Sequence, residues 1–197
     1  MPVIINEDNA LKQLLAGITV SDAGNASRPV GVWFGQPDAQ IRQQSYPYIT
    51  IDLIGISEAQ ERVHAGLVEL NYVPEGVDPE KDYIVQYPIP VDLMYQVTTY
   101  SRQPRHDRQI MAQLFGPTRL PLRFGMIAIP EDGTARRLDM LRFSKRDTTE
   151  QDKRLFCNVY TIQISSEFFR DTLIDIYKVL YPPLITLSSQ DSIFTEN

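Results

Sequence analysis

Three side chains in the 197-residue sequence bring ready acid–base, metal or thiol chemistry to neutral pH: His64, His106 and Cys157. They stand far apart in the chain, without the clustered His, Cys and carboxylate spacing that a zinc site needs, so no metal ligand set is expected. A nucleophilic triad requires a Ser or Cys activated by a histidine base. His106 and Asp107 are adjacent, but they fall at the start of a predicted helix, where a carboxylate is explained by the positive end of the helix dipole. His106 is expected as a surface histidine. Cys157 lies in a predicted strand and is expected as a small buried apolar residue. The sequence has neither Gly-x-x-x-x-Gly-Lys nor Gly-x-Gly-x-x-Gly, so nothing signals a phosphate cradle or a nucleotide cofactor. Catalytic, cofactor and metal residues are all expected to be absent, and the chain is read as structural. Tyr46, Tyr48, Tyr83, Tyr87, Tyr95 and Tyr100 could stack nucleobases, but the basic groove they would need falls in the most acidic third of the chain. Packing of core and subunit contacts is the preferred reading for them.

The elements that would position these residues follow from periodicity. Leu11, Leu14 and Leu15 fall at i, i+3 and i+4, which predicts a helix over 6–16, capped by Asn6 or Asp8 and stopped at Gly17. A polar loop over 21–27 leads to a short strand over 30–34. A longer strand over 48–56 places Ile49, Ile51 and Leu53 on one face, with Thr50 and Asp52 opposite. Residues 58–72 continue it into a hairpin, before a turn-rich connection at 74–79. The next long strand, 89–100, sets Val91, Leu93, Tyr95, Val97 and Thr99 on one face. The period then changes to helical over 104–115, with Pro104 in the first turn and a stripe of Ile110, Met111, Leu114 and Phe115. Residues 124–129 and 134–143 form a predicted hairpin around Asp132-Gly133. A strand over 155–165 follows. Phe169, Leu173, Ile176, Tyr177 and Leu180 repeat with helical spacing, which predicts a final helix ending before Pro182-Pro183. Residues 182–197 read as a tail.

Charge divides the chain more sharply than composition does. At 43% hydrophobic and 22% charged, the composition fits a folded globular protein, and a chain of this length can bury its own core. The net charge of −6 argues against a protein built to grip the outside of nucleic acid. Residues 58–92 hold eight acids and two bases, whereas residues 102–154 hold twelve bases and seven acids. Opposite signs on opposite faces would suit a subunit that packs head-to-tail against copies of itself. The candidate interface residues are Glu58, Glu61, Asp78, Glu80 and Asp82 on the acidic side, and Arg136, Arg137, Arg142, Lys145 and Arg146 on the basic side. Seven of the twelve residues over 142–153 are charged, which predicts an exposed hairpin tip that orders against a partner. A single cysteine and an opening Met1-Pro2-Val3-Ile4 without a basic, apolar leader point to a protein made in a reducing cytoplasm. No repeat or linker divides the chain, so one domain over 1–197 is expected.

One pattern extends beyond single elements. A helix precedes a strand opening Tyr46-Pro47-Tyr48-Ile49-Thr50-Ile51. A second strand, Val91-Asp92-Leu93-Met94-Tyr95-Gln96-Val97, then steps at once into a helix. Over roughly 6–115 this order resembles the tail terminator, neck and tail-completion proteins of tailed bacteriophages. The resemblance implies an α+β fold, a mostly antiparallel or mixed sheet with helices on one face. It implies a hexameric ring in the virion that caps the tail tube and docks under the head connector. DNA would pass through its channel without specific binding, and neither membrane nor cofactor would be involved. Two alternatives differ in class: another tail, sheath or baseplate interaction module, and a small hydrolase whose Ser, Asp and His residues meet only in the fold.

Overall fold

A computed structural model of the chain describes residues 4–22, 24, 26–37, 46–64, 67–69, 81–122, 124–150, 152–168 and 173–177. The described residues group into two compact units, 1–64 with 88–169 and 65–87 with 170–197. That the two make one domain over 1–197 stays a proposal.

The first unit opens with helix α1 (Ile4–Leu15), ended by Gly17 at φ 73, a left-handed conformation that glycine adopts without a Cβ penalty. Strands β1 (Thr19–Ser21) and β2 (Ser27–Pro29) form a small antiparallel pair. Strand β3 (Gly31–Phe34) runs parallel to β4 (Tyr48–Glu58), and β4 ends in a 3₁₀ turn at Gln60–Arg62. In the second unit, β5 (Leu67–Glu69) and β6 (Lys81–Gln86) pair antiparallel. The chain then returns as β7 (Ile89–Ser101) and helix α2 (Pro104–Leu114). Strands β8 (Gly125–Ile129), β9 (Thr134–Lys145), β10 (Thr148–Glu150) and β11 (Lys153–Phe168) follow, and β12 (Leu173–Tyr177) returns to β6.

The large sheet runs β3-β4-β7-β11-β9-β8, with β10 paired to β11. Every pairing along it is antiparallel except β3 with β4. Its apolar face gathers Ile49, Ile51, Leu93, Tyr95, Val97, Tyr160, Ile162 and Ile164 into one cluster with Leu11 and Leu15 of α1 and Ile110 and Leu114 of α2. Each such side chain contributes about 1.5–3 kcal/mol by leaving water. Both helices therefore cover the same face of a mixed α+β fold. On the other face Met94, Gln96, Thr161, Gln163 and Ser165 are half-buried, as period-2 alternation requires.

Four expectations need correction. The predicted helix over 169–180 is a strand where it is described: β12 pairs residue by residue with β6, from Leu173 opposite Val85 to Tyr177 opposite Lys81. A strand and a helix both accommodate Leu173, Ile176 and Tyr177, and the β-branched Ile174 and Ile176 favour the strand once a partner edge exists. The predicted hairpin over 58–72 is not seen where it is described: Glu58 pairs with Val91 of β7, Ala59 N–H bonds to Pro90 O at 3.0 Å, and Leu67–Glu69 pair with β6, while 65–66 and 70–72 lie outside the described residues. Leu53 keeps the face of Ile49 and Ile51, standing opposite the buried Tyr95, but it is not buried with them: it is 40% exposed, so the cover over that face of β4 ends beyond Ile51. His106 is buried rather than on the surface. The predicted tail over 182–197 lies outside the described residues.

Candidate assembly surface

At the α2 end of the sheet the polar residues turn inward and bond to one another, with Asn158 Oδ1, Asp147 Oδ1 and the Tyr160 hydroxyl buried without a hydrogen-bond partner. His106 Nε2 lies 2.8 Å from Asp22 Oδ1, and Arg28 holds the other oxygen at 3.1 Å. Asp107, also buried, accepts from Lys145 Nζ at 2.6 Å and from Asn158 Nδ2 at 2.6 Å. Glu150 accepts from Arg102 and from the Tyr46 hydroxyl, each at 2.8 Å. Burial, the bond to Glu150 and its charge push the Tyr46 phenol up. Burial raises the Cys157 thiol, reinforced by Asp147, which favours an inert thiol over a reactive thiolate. Asp147 moves the other way: burial opposes ionisation, but the hydrogen bond from Arg154 and the Lys145 charge hold its carboxyl below the usual range. These contacts knit α2, β9 and β11 together, and the sites read as structural joints. Among the described residues no group of three His, Cys, Asp or Glu side chains could hold a metal ion. Among the described residues no helix is long and apolar enough to cross a membrane.

The sheet edges contrast with this end. Strand β3 pairs only with Tyr48–Ile51, so the second half of β4 has no strand beside it on that side among the described residues. Along this margin Trp33, Phe34, Leu53, Ile54 and Ile56 are all exposed. The opposite margin is β8, where Leu122, Phe124 and Met126 are 68%, 87% and 69% exposed. Phe124 holds a left-handed backbone at φ 57, which costs a non-glycine residue roughly 1–2 kcal/mol. Its neighbour Gly125 is needed for packing, since a Cβ there would meet Leu138 O at 2.3 Å and Pro121 Cγ at 2.9 Å. Both margins thus leave aromatic and aliphatic side chains in solvent.

Beside β8 runs an open groove of about 450 Å³ lined by Arg62, Phe124, Met126, Arg136, Arg137 and Glu167. A second recess of about 320 Å³ adjoins it, sharing Arg62, Arg137 and Ser165 and adding Glu61, Asp92 and Asp139. Arg62 is anchored at 2.6 Å to Asp92, and Arg137 Nε lies 2.5 Å from Asp139. Arg136 is different. Its side chain is 11% exposed, its Nη1 is 3.7 Å from Glu167 Oε2, and its buried Nε has no hydrogen-bond partner. A buried donor left unpaired costs about 1–3 kcal/mol.

The charged candidates thus separate. Glu58 and Glu61 are exposed near the 3₁₀ turn, and Glu61 shares a recess with Arg137, so the two signs meet within one subunit instead of facing away from each other. Lys145 serves the buried Asp107 and also lies 3.6 Å from Asp147. Arg142 is exposed opposite Thr161, and Arg146 is exposed while its backbone N–H donates to Cys157 O at 2.8 Å. Asp82 sits on β6 opposite Ile176. Asp78 and Glu80 lie outside the described residues. Sequence reasoning missed Arg62 and the apolar margins. The margins carry a faint signal, because β8 is apolar on both faces, with Ile127 and Ile129 inward and Met126 and Ala128 outward.

No protein-family model and no curated protein matches the sequence. Among solved structures, the sheath/tube terminator of PVC, an extracellular contractile injection system, in its extended state is similar over 87% of this chain at 13% identity, with a TM-score of 0.45. This chain spans about 60% of that protein's length. At this level the likeness transfers neither a role nor an assembly to this chain.

Proposed function

We propose that the protein is a structural subunit of a phage-type tail, a terminator that assembles head-to-tail into a hexameric ring. The ring caps the tail tube, stops its growth, joins it to the head connector and leaves a channel for DNA. The observation that carries this reading is the pair of unlike apolar margins, Trp33 to Ile56 on one side and Leu122 to Met126 on the other. Different patches on the two sides of one subunit pair heterologously, and such contacts generate rings when the rotation closes. The Tyr-Pro-Tyr strand and the strand-to-helix step, which resemble those of neck proteins, agree with it. Of the charged candidates, Glu58, Glu61, Asp78, Glu80 and Asp82 with Arg136, Arg137, Arg142 and Arg146 act at the rim, steering approach and fixing register. Lys145 belongs instead to the joint around Asp107. A net charge of −6 per subunit suits a lumen that repels phosphate and lets DNA slide.

Negative-stain images of the purified chain, alone and mixed with tail tubes, test the proposal. Sixfold rings seated at tube ends are expected. Monomers that leave tube ends bare and tubes still growing would refute it.

A further inference from the structure

Among the described residues the large sheet has an unpaired edge on either side: β8 pairs only with β9, and beyond Ile51 β4 pairs only with β7. The Arg137 N–H turns toward β11, donating to Ser165 Oγ at 3.2 Å. By alternation Ile127 bonds across to Arg136, while Met126 and Ala128 direct their N–H and C=O groups to the free edge. On β4, Ile51 O accepts from Gly35 N–H on the β3 side, and Ala59 N–H bonds to Pro90 O on the β7 side. Leu53, Ile56 and Glu58 therefore present their backbone groups to the open side. Natural sheets blunt such edges with charge or proline, yet β8 reads Gly125-Met126-Ile127-Ala128-Ile129 and carries neither. What completes a strand edge is another strand, and this chain supplies one on each side of its sheet.

We infer that β8 of one copy adds to the free half of β4 in the next, continuing the line of β3 and joining neighbouring sheets through the main chain. This inference rests on the head-to-tail reading and gives its contact a mechanism. From β4 through β7, β11 and β9 to β8 each strand reverses the last, so β4 and β8 run the same way. A rotation about an axis along the strands preserves that direction and keeps the apolar face on one side, so the new pair is parallel. Ile56 then lies level with Ile127 on the inner face, its N–H donating to Met126 O and its O accepting from Ala128 N–H, while Ser57 lies level with Ala128 on the outer face. Apolar cover follows the same placement. Helix α1 packs over β8, with Asn6 Nδ2 donating to Asp132 Oδ1 in the β8–β9 turn at 3.2 Å, and the adjacent Ile5 is 60% exposed. Carried along with β8, this end of α1 brings Ile5 toward the exposed Ile56, where the cover of the receiving subunit has ended.

Mixing a Ser57→Cys chain with an Ala128→Cys chain tests it, because a 57–128 disulfide then joins two copies. After mild oxidation and digestion, mass spectrometry reads the linked peptides, and native mass of the unoxidised mixture reads the assembly. The expected yield is at least about tenfold above that of Asp52→Cys mixed with Ala128→Cys, positions that a parallel register holds roughly 15 Å apart. Equal yields, or a higher one from the Asp52 pair, would overturn the parallel pairing. Ala128→Pro gives a second reading, since its N–H lies outside the β8–β9 ladder and proline is tolerated on the open side of an edge strand. It should weaken association at least about tenfold by sedimentation, through the lost hydrogen bond; unchanged association of the folded variant would overturn the inference. Rings without the 57–128 disulfide would overturn it and leave the ring standing. The disulfide in open chains or dimers would uphold the strand pairing and refute the ring.

Discussion

The α2 end and the β8 margin lie on one sheet and treat charge in opposite ways. At the α2 end Asp107 is buried, and both its oxygens accept a hydrogen bond, from Lys145 and from Asn158. At the β8 margin Arg136 is nearly as deep, yet its Nε has no partner and its closest carboxylate stands off at 3.7 Å. Apolar side chains divide the same way. Ile110 and Leu114 of α2 are fully covered, whereas Leu122, Phe124 and Met126 face solvent. The difference lies in apolar cover more than in polar pairing: the α2 end buries its apolar side chains, although Asn158 Oδ1 and the Tyr160 hydroxyl stay without hydrogen-bond partners there, whereas the β8 margin leaves Leu122, Phe124 and Met126 in solvent, where the proposed assembly would cover them.

The most damaging change strikes the scaffold that both regions share. Leu93 is fully buried in central strand β7, so Leu93→Ala should cost roughly 2–5 kcal/mol through lost transfer energy and a cavity. Urea denaturation would read the loss, and assembly should fail with folding. Next, Asp107→Ala should break the α2 end alone by stranding Asn158 and Lys145, at about 1.5–3 kcal/mol. Folded protein carrying this change should still assemble at high concentration; assembly lost while thermal unfolding is unchanged would dissolve the distinction between the regions. The mirror-image change is Phe124→Ser. It should shift subunit stability by no more than about 0.5 kcal/mol, as surface substitutions do, while weakening association at least about tenfold, as interface anchors do. Sedimentation at several concentrations separates the two effects.

The smallest expected effect concerns pH. With its folded-state carboxyl held below the ordinary value, Asp147 adds stability that is present above that value and lost as pH falls through the lower one. Asp147→Asn should therefore flatten the acid side of the stability profile below about pH 4 and leave it unchanged near neutrality. An unchanged acid limb in thermal unfolding would remove Asp147 from the α2 joint.

The sequence made the long elements legible because their periodicity is uninterrupted. The alternation of Val91, Leu93, Tyr95 and Val97 gives β7, and Asp132-Gly133 gives the β8–β9 turn, with Gly133 at φ 63. It misled where the cover over a strand ends or where two periods fit. Leu53 and Ile56 stand opposite the buried Tyr95 and Leu93 yet are exposed, because what covers a face is set by tertiary packing, which no count of alternating residues reveals. Five residues around Ile174 satisfy a helix and a strand equally until β6 is placed beside them. The candidate surface was legible in part. Arg136 and Arg137 stand out by charge, but their partner Arg62 comes from the acidic stretch, and folding alone brings Glu61 and Arg137 to one recess. His106 looked like a surface residue because its partner, Asp22, is 84 positions away.

The central claim is that the two apolar margins close copies of this chain into a ring, and particle mass in solution over a wide concentration range tests it most directly. The account predicts a species of six copies that persists on dilution and gives way to smaller species in Phe124→Ser. A monomer at every concentration, with the same mass for wild type and Phe124→Ser, would contradict it.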